Sequence, residues 1–140
     1  MLLGEYHHSL DGKGRIAVPA KLRFDLGETI IINRYMDGCL AIYSQESWNK
    51  KYEELMALNQ NHADTRAYVR AMTSKAYELS YDAQGRILVP STLIDLAKLD
   101  KNCVFIGAGD HVELWNEDAW NTYDSNTLTD EQLADIAERL

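Results

Sequence analysis

The 140-residue sequence has few of the features that mark secreted, membrane or metal-binding proteins. Its two cysteines, Cys39 and Cys103, are not in a CxxC spacing, so core packing explains them better than a disulfide framework or a zinc site. No apolar run approaches ~20 residues, which predicts no transmembrane helix. The first eight residues have no basic stretch, which argues against a signal peptide and indicates a cytoplasmic protein.

Catalytic and metal-binding motifs are also scarce. The sequence has no GxSxG, HExxH or P-loop pattern. Its four histidines show no ligand spacing; they are His7, His8, His62 and His111. We therefore predict that the protein is not an enzyme and has neither a metal site nor a cofactor.

Acidic residues outnumber basic residues only in the C-terminal part of the chain. The net charge is −8, which by itself argues against a nucleic-acid-binding protein. Residues 110–140 hold one basic and nine acidic residues, whereas residues 1–109 hold 13 of each. Because local potential decides phosphate binding, a neutral body can still carry a basic patch.

The only two prolines, Pro19 and Pro90, belong to an internal repeat. Residues 11–22 match residues 82–93 at seven of twelve positions, with an offset of 71. A second pair, residues 42–48 and 114–120, follows at an offset of 72. The repeat predicts four segments: a first domain at 5–47, connecting helices at 48–75, a second domain at 76–119 and an acidic helical segment at 120–140.

Each copy predicts the same order of elements: a strand, a glycine-bearing turn, a short β-branched strand, a proline, a short helix and two more strands. The predicted strands are 5–10, 16–18, 29–32 and 39–43, then 77–81, 87–89, 103–106 and 112–115. The predicted short helices are 20–26, which Gly27 ends, and 91–99. One copy is too small to bury a core alone, so we expect the two copies to pack together and to share strands.

Helices are predicted after each copy. Ser44 and Asn116 stand at N-cap positions, Asp64 can cap a further helix, and Thr129 begins a capping box. The last helix has an apolar stripe and an acidic face; the stripe is Leu133, Ile136, Ala137 and Leu140. This helix either docks on the body of the protein or binds a partner.

The two glycine-bearing turns share an Asp-x-x-x-Arg pattern. Each aspartate can accept backbone N–H bonds, and Gly14 and Gly85 supply a backbone angle that other residues resist. The pairs Asp11–Arg15 and Asp82–Arg86 could simply fix their turns. The sequence around the first turn is richer in cations, however: Lys13, Arg15, Lys21 and Arg23, against Arg86 alone in the second copy. Arginine suits guanine and lysine suits phosphate, so this asymmetry favours DNA contact at the first turn.

These motifs resemble those of the bacterial MraZ family. The resemblance rests on the opening Met-Leu-Leu-Gly-Glu-Tyr, the block Asp-Gly-Lys-Gly-Arg-Ile-x-Val-Pro at 11–19 and its repeat at 82–90. It implies an α+β fold of two tandem AbrB-like swapped-hairpin units that form a pseudo-twofold barrel. It also implies assembly into a homo-oligomeric ring. The implied function is transcriptional regulation by binding double-stranded DNA at short direct repeats in the protein's own promoter, ahead of the division and cell-wall gene cluster.

Carried over to this sequence, the resemblance makes Lys13 and Arg15 the DNA-contacting candidates, with Lys21 and Arg23 as phosphate partners. The residues expected to fix the turns or to act secondarily are Asp11, Gly14, Asp82, Gly85 and Arg86. Arginine is common in the family at the position of Ile94, so we expect the second turn to serve mainly the fold. Two functions stay open: a cytoplasmic, nucleoid-associated DNA-binding regulator, or a protein-interaction and assembly module that binds DNA weakly or not at all.

Overall fold

The computed structural model describes all 140 residues, which form eight strands, six α-helices and a 3-10 turn at Met36–Gly38. The strands are β1 (Leu2–Ser9), β2 (Arg15–Ala17), β3 (Thr29–Arg34), β4 (Leu40–Ser44), β5 (Tyr77–Ser80), β6 (Arg86–Leu88), β7 (Asn102–Gly109) and β8 (Val112–Asn116). The helices are α1 (Ala20–Leu26), α2 (Gln45–Met56), α3 (Ala63–Ser74), α4 (Ser91–Leu96), α5 (Glu117–Thr127) and α6 (Asp130–Glu138). None of these helices has the length and apolar character needed to cross a bilayer.

The two copies of the repeat exchange strands within one antiparallel six-stranded sheet, whose order is β1-β7-β8-β4-β3-β5. Strand β1 of the first copy pairs with β7 of the second, and β5 of the second pairs with β3 of the first. Strands β4 and β8 meet at the centre. The predicted α+β class, the tandem units and the shared strands are therefore confirmed.

Strands β2 and β6 form a separate antiparallel ribbon, again with one strand from each copy. Ile16 lies opposite Ile87, Arg15 opposite Leu88 and Ala17 opposite Arg86, so the pseudo-twofold axis passes between the two isoleucines. No strand pairing joins this ribbon to the six-stranded sheet. The eight strands thus form a sheet and a ribbon, and a closed barrel is not confirmed.

The main core fills the space between the ribbon and one face of the sheet. Ile16 and Ile87 are fully buried there, together with alternate residues of the sheet such as Ile32 and Phe105. Helices α1 and α4 lie on this side and contribute Leu22 and Leu93 to the same core. The predicted helix α1 is confirmed with both ends, since Gly27 follows it with a φ of 85°.

The opposite face of the sheet is covered by α2, α3 and α5. Val104 and Trp115 point to this side and pack with Trp120 of α5. Helix α3 is tied to β3, because the Asn33 side chain donates a 2.7 Å hydrogen bond to the Met72 carbonyl. The predicted N-caps are confirmed: Ser44 accepts from the Ser47 N–H and Asn116 accepts from the Ala119 N–H, each at 3.1 Å.

Several element boundaries differ from the predictions, and three of the differences have a local cause that the structure shows. Strand β1 begins at Leu2, earlier than residue 5, because its pairing with β7 extends to Gly109. Helix α4 ends at Leu96 because Lys98 adopts a left-handed φ of 50°. His62, not Asp64, occupies the N-cap position of α3, and its side chain makes no capping hydrogen bond. Asp64 lies within the first turn, where its negative charge interacts favourably with the helix dipole.

The C-terminal helix α6 does not dock on the body of its own chain. The predicted capping box is confirmed, with Thr129 accepting from the Gln132 N–H at 3.3 Å. Yet no residue of α6 is buried, and Leu133 and Ile136 are 44% and 37% exposed. Of the two interpretations of this helix, docking within the chain is wrong.

Candidate nucleic-acid interface

The first turn is built around the carboxylate of Asp11. One carboxylate oxygen accepts hydrogen bonds from the backbone N–H groups of Lys13 and Arg15, both at 2.9 Å. The other oxygen accepts from Arg15 Nε, also at 2.9 Å. One side chain thus closes the turn and holds the arginine in a single orientation.

The second turn repeats this geometry. Asp82 accepts from the N–H groups of Gln84 and Arg86 at 2.9 Å, and from Arg86 Nε at 2.7 Å. The contacts of the two aspartates are therefore the same in the two copies, and the turns differ in one bond, which Arg86 Nη2 donates to Gln84 Oε1 at 3.4 Å.

These contacts favour the charged form of both aspartates. Hydrogen bonds from the Arg15 and Lys13 backbones and from the Arg15 side chain hold the pKa of Asp11 below its ordinary value of 3.8. The Arg86 backbone and side chain and the Gln84 backbone lower the pKa of Asp82 in the same way. Near neutral pH each turn therefore contains a charged carboxylate, whose negative charge these hydrogen bonds stabilise.

Each turn is also locked by the other copy. The Val89 N–H donates to the Gly14 carbonyl at 2.8 Å, and the Val18 N–H donates to the Gly85 carbonyl at 3.1 Å. Gly14 and Gly85 make these contacts at φ values of +82° and +74°, which favour glycine. The position of each turn therefore depends on the strand that follows the opposite turn.

The ribbon has an outer face that carries both arginines. Side chains alternate along a strand, so the inward direction of Ile16 and Ile87 directs Arg15 and Arg86 outward. The two arginines are diagonal neighbours in the ribbon register, about 7–8 Å apart at their backbones. Each uses its Nε on its own aspartate, which leaves the terminal nitrogens of Arg15 without a protein acceptor.

The cations that lie close together in sequence around the first turn are in different places in the structure. Lys13 is exposed in that turn, and Lys21 is exposed on α1. The Arg23 guanidinium instead lies against Gly85 of the second turn. At the equivalent place beside Gly14, the structure has the side chain of Ile94. The asymmetry in cation number along the sequence is therefore not an asymmetry between the two turns in space.

Comparison with known proteins identifies the relatives of this two-copy fold. A family model described as "MraZ protein, putative antitoxin-like" matches the chain twice, over residues 1–71 and 72–140. The chain belongs to the MraZ family. Each of the two matches covers one copy of the repeat and helices that follow it, and the boundary between the matches lies within α3.

MraZ relatives match this chain from end to end. A protein named "Transcriptional regulator MraZ" from Thermoanaerobacter sp. (strain X514) is 41% identical over 140 residues, which is 100% of this chain and 96% of the relative. Proteins of the same name from Heliobacterium modesticaldum and Ligilactobacillus salivarius are each 43% identical, with the same two coverages. The relatives that match this chain over its whole length are thus named as transcriptional regulators.

The pKa shifts of the two aspartates predict how the turns respond to acid. Because each aspartate has a lower pKa in the folded protein, its stabilising effect is present above pH 3.8 and is lost as the pH falls through the folded value. We expect Asp11→Ala and Asp82→Ala to lower the free energy of unfolding at neutral pH. The difference from the wild type should shrink below pH 3.8.

Urea unfolding between pH 7 and pH 3 measures this difference. Asp124→Ala is the control, because Asp124 is exposed on α5 and its carboxylate is not tied to a turn. A difference between wild type and Asp11→Ala that does not change with pH would contradict this role for the carboxylate.

Proposed function

We propose that this MraZ-family chain is a sequence-specific DNA-binding regulator that reads base edges with Arg15. The observation that carries the proposal is the position of Arg15 on the outer face of a two-stranded ribbon. Asp11 fixes the Nε end of its guanidinium and leaves the terminal nitrogens available. A two-stranded ribbon fits the major groove, and the guanidinium fork matches O6 and N7 of guanine.

Phosphate contacts would orient the ribbon on the duplex. We propose Lys13, Lys21 and Arg23 for these contacts, as sources of charge that do not depend on the base sequence. Few such contacts per subunit, on a body without net charge, predict weak binding to a single site and a shallow salt dependence. Useful affinity then requires several subunits on several repeats, which act through effective concentration.

The regulated DNA is proposed from the MraZ membership. We propose that the target sites are short direct repeats in the promoter of the protein's own gene, ahead of the division and cell-wall gene cluster. Binding there would place the protein in the cytoplasm, associated with the nucleoid. The relatives named as transcriptional regulators support the role in transcription on which this proposal rests.

A single substitution tests the reading role of Arg15. We expect Arg15→Ala to weaken specific binding by about 1–3 kcal/mol per contacting subunit, because it removes the guanine fork. The fold should persist, since the side chain is outside the core. The measurement is a gel shift with the DNA upstream of the gene at two salt concentrations, using duplexes with one repeat and with several.

Arg70→Ala is the matched control for this gel shift. Arg70 is exposed on α3, which packs on the opposite face of the sheet from the ribbon, and the substitution changes the net charge equally. Retention of wild-type affinity by Arg15→Ala would refute the reading role. Equal affinity for one repeat and for several would refute the need for multiple subunits.

The exposed helix α6 supports self-association. Helix α3 follows the first copy as α6 follows the second, and α3 buries Val69 and Met72. Helix α6 has no buried residue, although it carries Leu133 and Ile136 on one side. We propose that a second copy of the chain covers this stripe, within a homo-oligomer larger than a dimer and closed into a ring. This helix is also the observation that favours the alternative function, an assembly module without DNA binding.

The size of the assembly tests this role of α6. We expect light scattering to show a wild-type particle larger than a dimer, and Leu133→Asp to reduce its size by placing a charge in the apolar stripe. Asn121→Asp adds the same charge at an exposed position of α5 and should leave the size unchanged. A monomeric wild type at micromolar concentration would overturn the proposal.

A further inference from the structure

The side chain of Arg23 connects the first copy of the repeat to the turn of the second. Arg23 belongs to α1, yet its guanidinium occupies the space that a Cβ on Gly85 would need. The positive φ of Gly85 favours glycine, and the absence of a Cβ also leaves the room that the arginine occupies. The second turn thus has an arginine of its own, Arg86, and another from the first copy.

Arg23 differs from the two turn arginines in having no anionic partner. Arg15 and Arg86 each pair with an aspartate, whereas no carboxylate pairs with Arg23, although its side chain is half-buried. The Tyr81 hydroxyl lies close enough for the Arg23 charge to influence it, and this hydroxyl is buried without a hydrogen-bond partner. A half-buried guanidinium without a counter-ion is the state expected of a site that binds an anion from outside.

The other copy shows that the fold does not need a cation here. At the equivalent position beside Gly14, the protein has Ile94, and that turn has the same backbone bonds as the second. An apolar side chain is thus sufficient to cover a turn of this shape. The charge of Arg23 is available for a ligand.

We propose that Arg23 and Arg86 form a phosphate-binding site at the second turn, built from both copies of the repeat. The ligand is a backbone phosphate of the DNA, so the inference rests on the proposed function. The nearby Asp82 does not repel this phosphate strongly, because its carboxylate already accepts three hydrogen bonds, one of them from the Arg86 side chain. Arg86 and Arg15 share the outer face of the ribbon, so the site lies beside the base-reading arginine.

In this proposal Arg23 binds a phosphate at the second turn. Its contribution to DNA binding can therefore be measured separately from that of Lys13 at the first turn. The test compares Arg23→Ile, which introduces the residue found at the equivalent position, with Arg70→Ile on α3. We expect Arg23→Ile to weaken binding to the upstream DNA on the order of tenfold per contacting subunit. The slope of log affinity against log salt should fall by about 0.9 for each phosphate that is no longer neutralised. Arg70→Ile should match the wild type, and Arg23→Lys should recover part of the affinity.

Double variants locate the phosphate. If Arg23 and Arg86 hold one phosphate, the reduction in affinity in Arg23→Ile/Arg86→Ala should be smaller than the sum of the two single reductions. The reductions in Arg23→Ile and Lys13→Ala should add. Thermal melting should show an intact fold for Arg23→Ile and Lys13→Ala, which change no residue of the main core, and a lower melting temperature for Arg86→Ala, which loses its bond to Asp82.

Binding to an unrelated duplex separates this inference from the proposed function. Absence of sequence preference in the wild type would refute the proposed function, while a reduced salt slope for Arg23→Ile on either duplex would still support the phosphate site. If the wild type binds DNA and Arg23→Ile has the affinity and salt slope of Arg70→Ile, the site is refuted. Absence of binding to any duplex refutes both.

Discussion

The antiparallel pairing of β2 with β6 is the interaction on which the rest of the structure depends. It has only three residue pairs, but its central pair, Ile16 and Ile87, is fully buried beneath the ribbon. Burial of an isoleucine stabilises a fold by about 1.5–3 kcal/mol. The same pairing joins the two copies, positions both turns and directs both turn arginines to one face. Stability and the candidate interface therefore have a common origin.

The two turns have the same internal hydrogen bonds around their aspartates, but different side chains cover them. Each aspartate satisfies two backbone donors and one arginine, so each turn is rigid and its carboxylate is compensated. The residue that covers the turn differs, with Ile94 at the first and Arg23 at the second. A pseudo-symmetric scaffold of this kind can present different contacts to DNA while both halves keep one backbone geometry.

Much of this fold was predictable because local signals agree with the repeat. Several element ends are fixed by atoms that are close in sequence, at Gly27, at the caps Ser44 and Asn116 and at the two prolines. The place of Arg23 was not predictable, because strand exchange brings α1 to a turn far away in sequence. The surroundings of α6 were not predictable either, since an apolar stripe indicates that something covers it and not what does so.

Hydrogen–deuterium exchange with and without the upstream DNA tests the central claim, that one ribbon built from both copies is the DNA-binding surface. We expect DNA binding to slow exchange in residues 11–18 and 82–89 together, with little change in α2 and α3 on the opposite face. Slower exchange confined to α2 and α3, or to only one of the two turns, would contradict this claim.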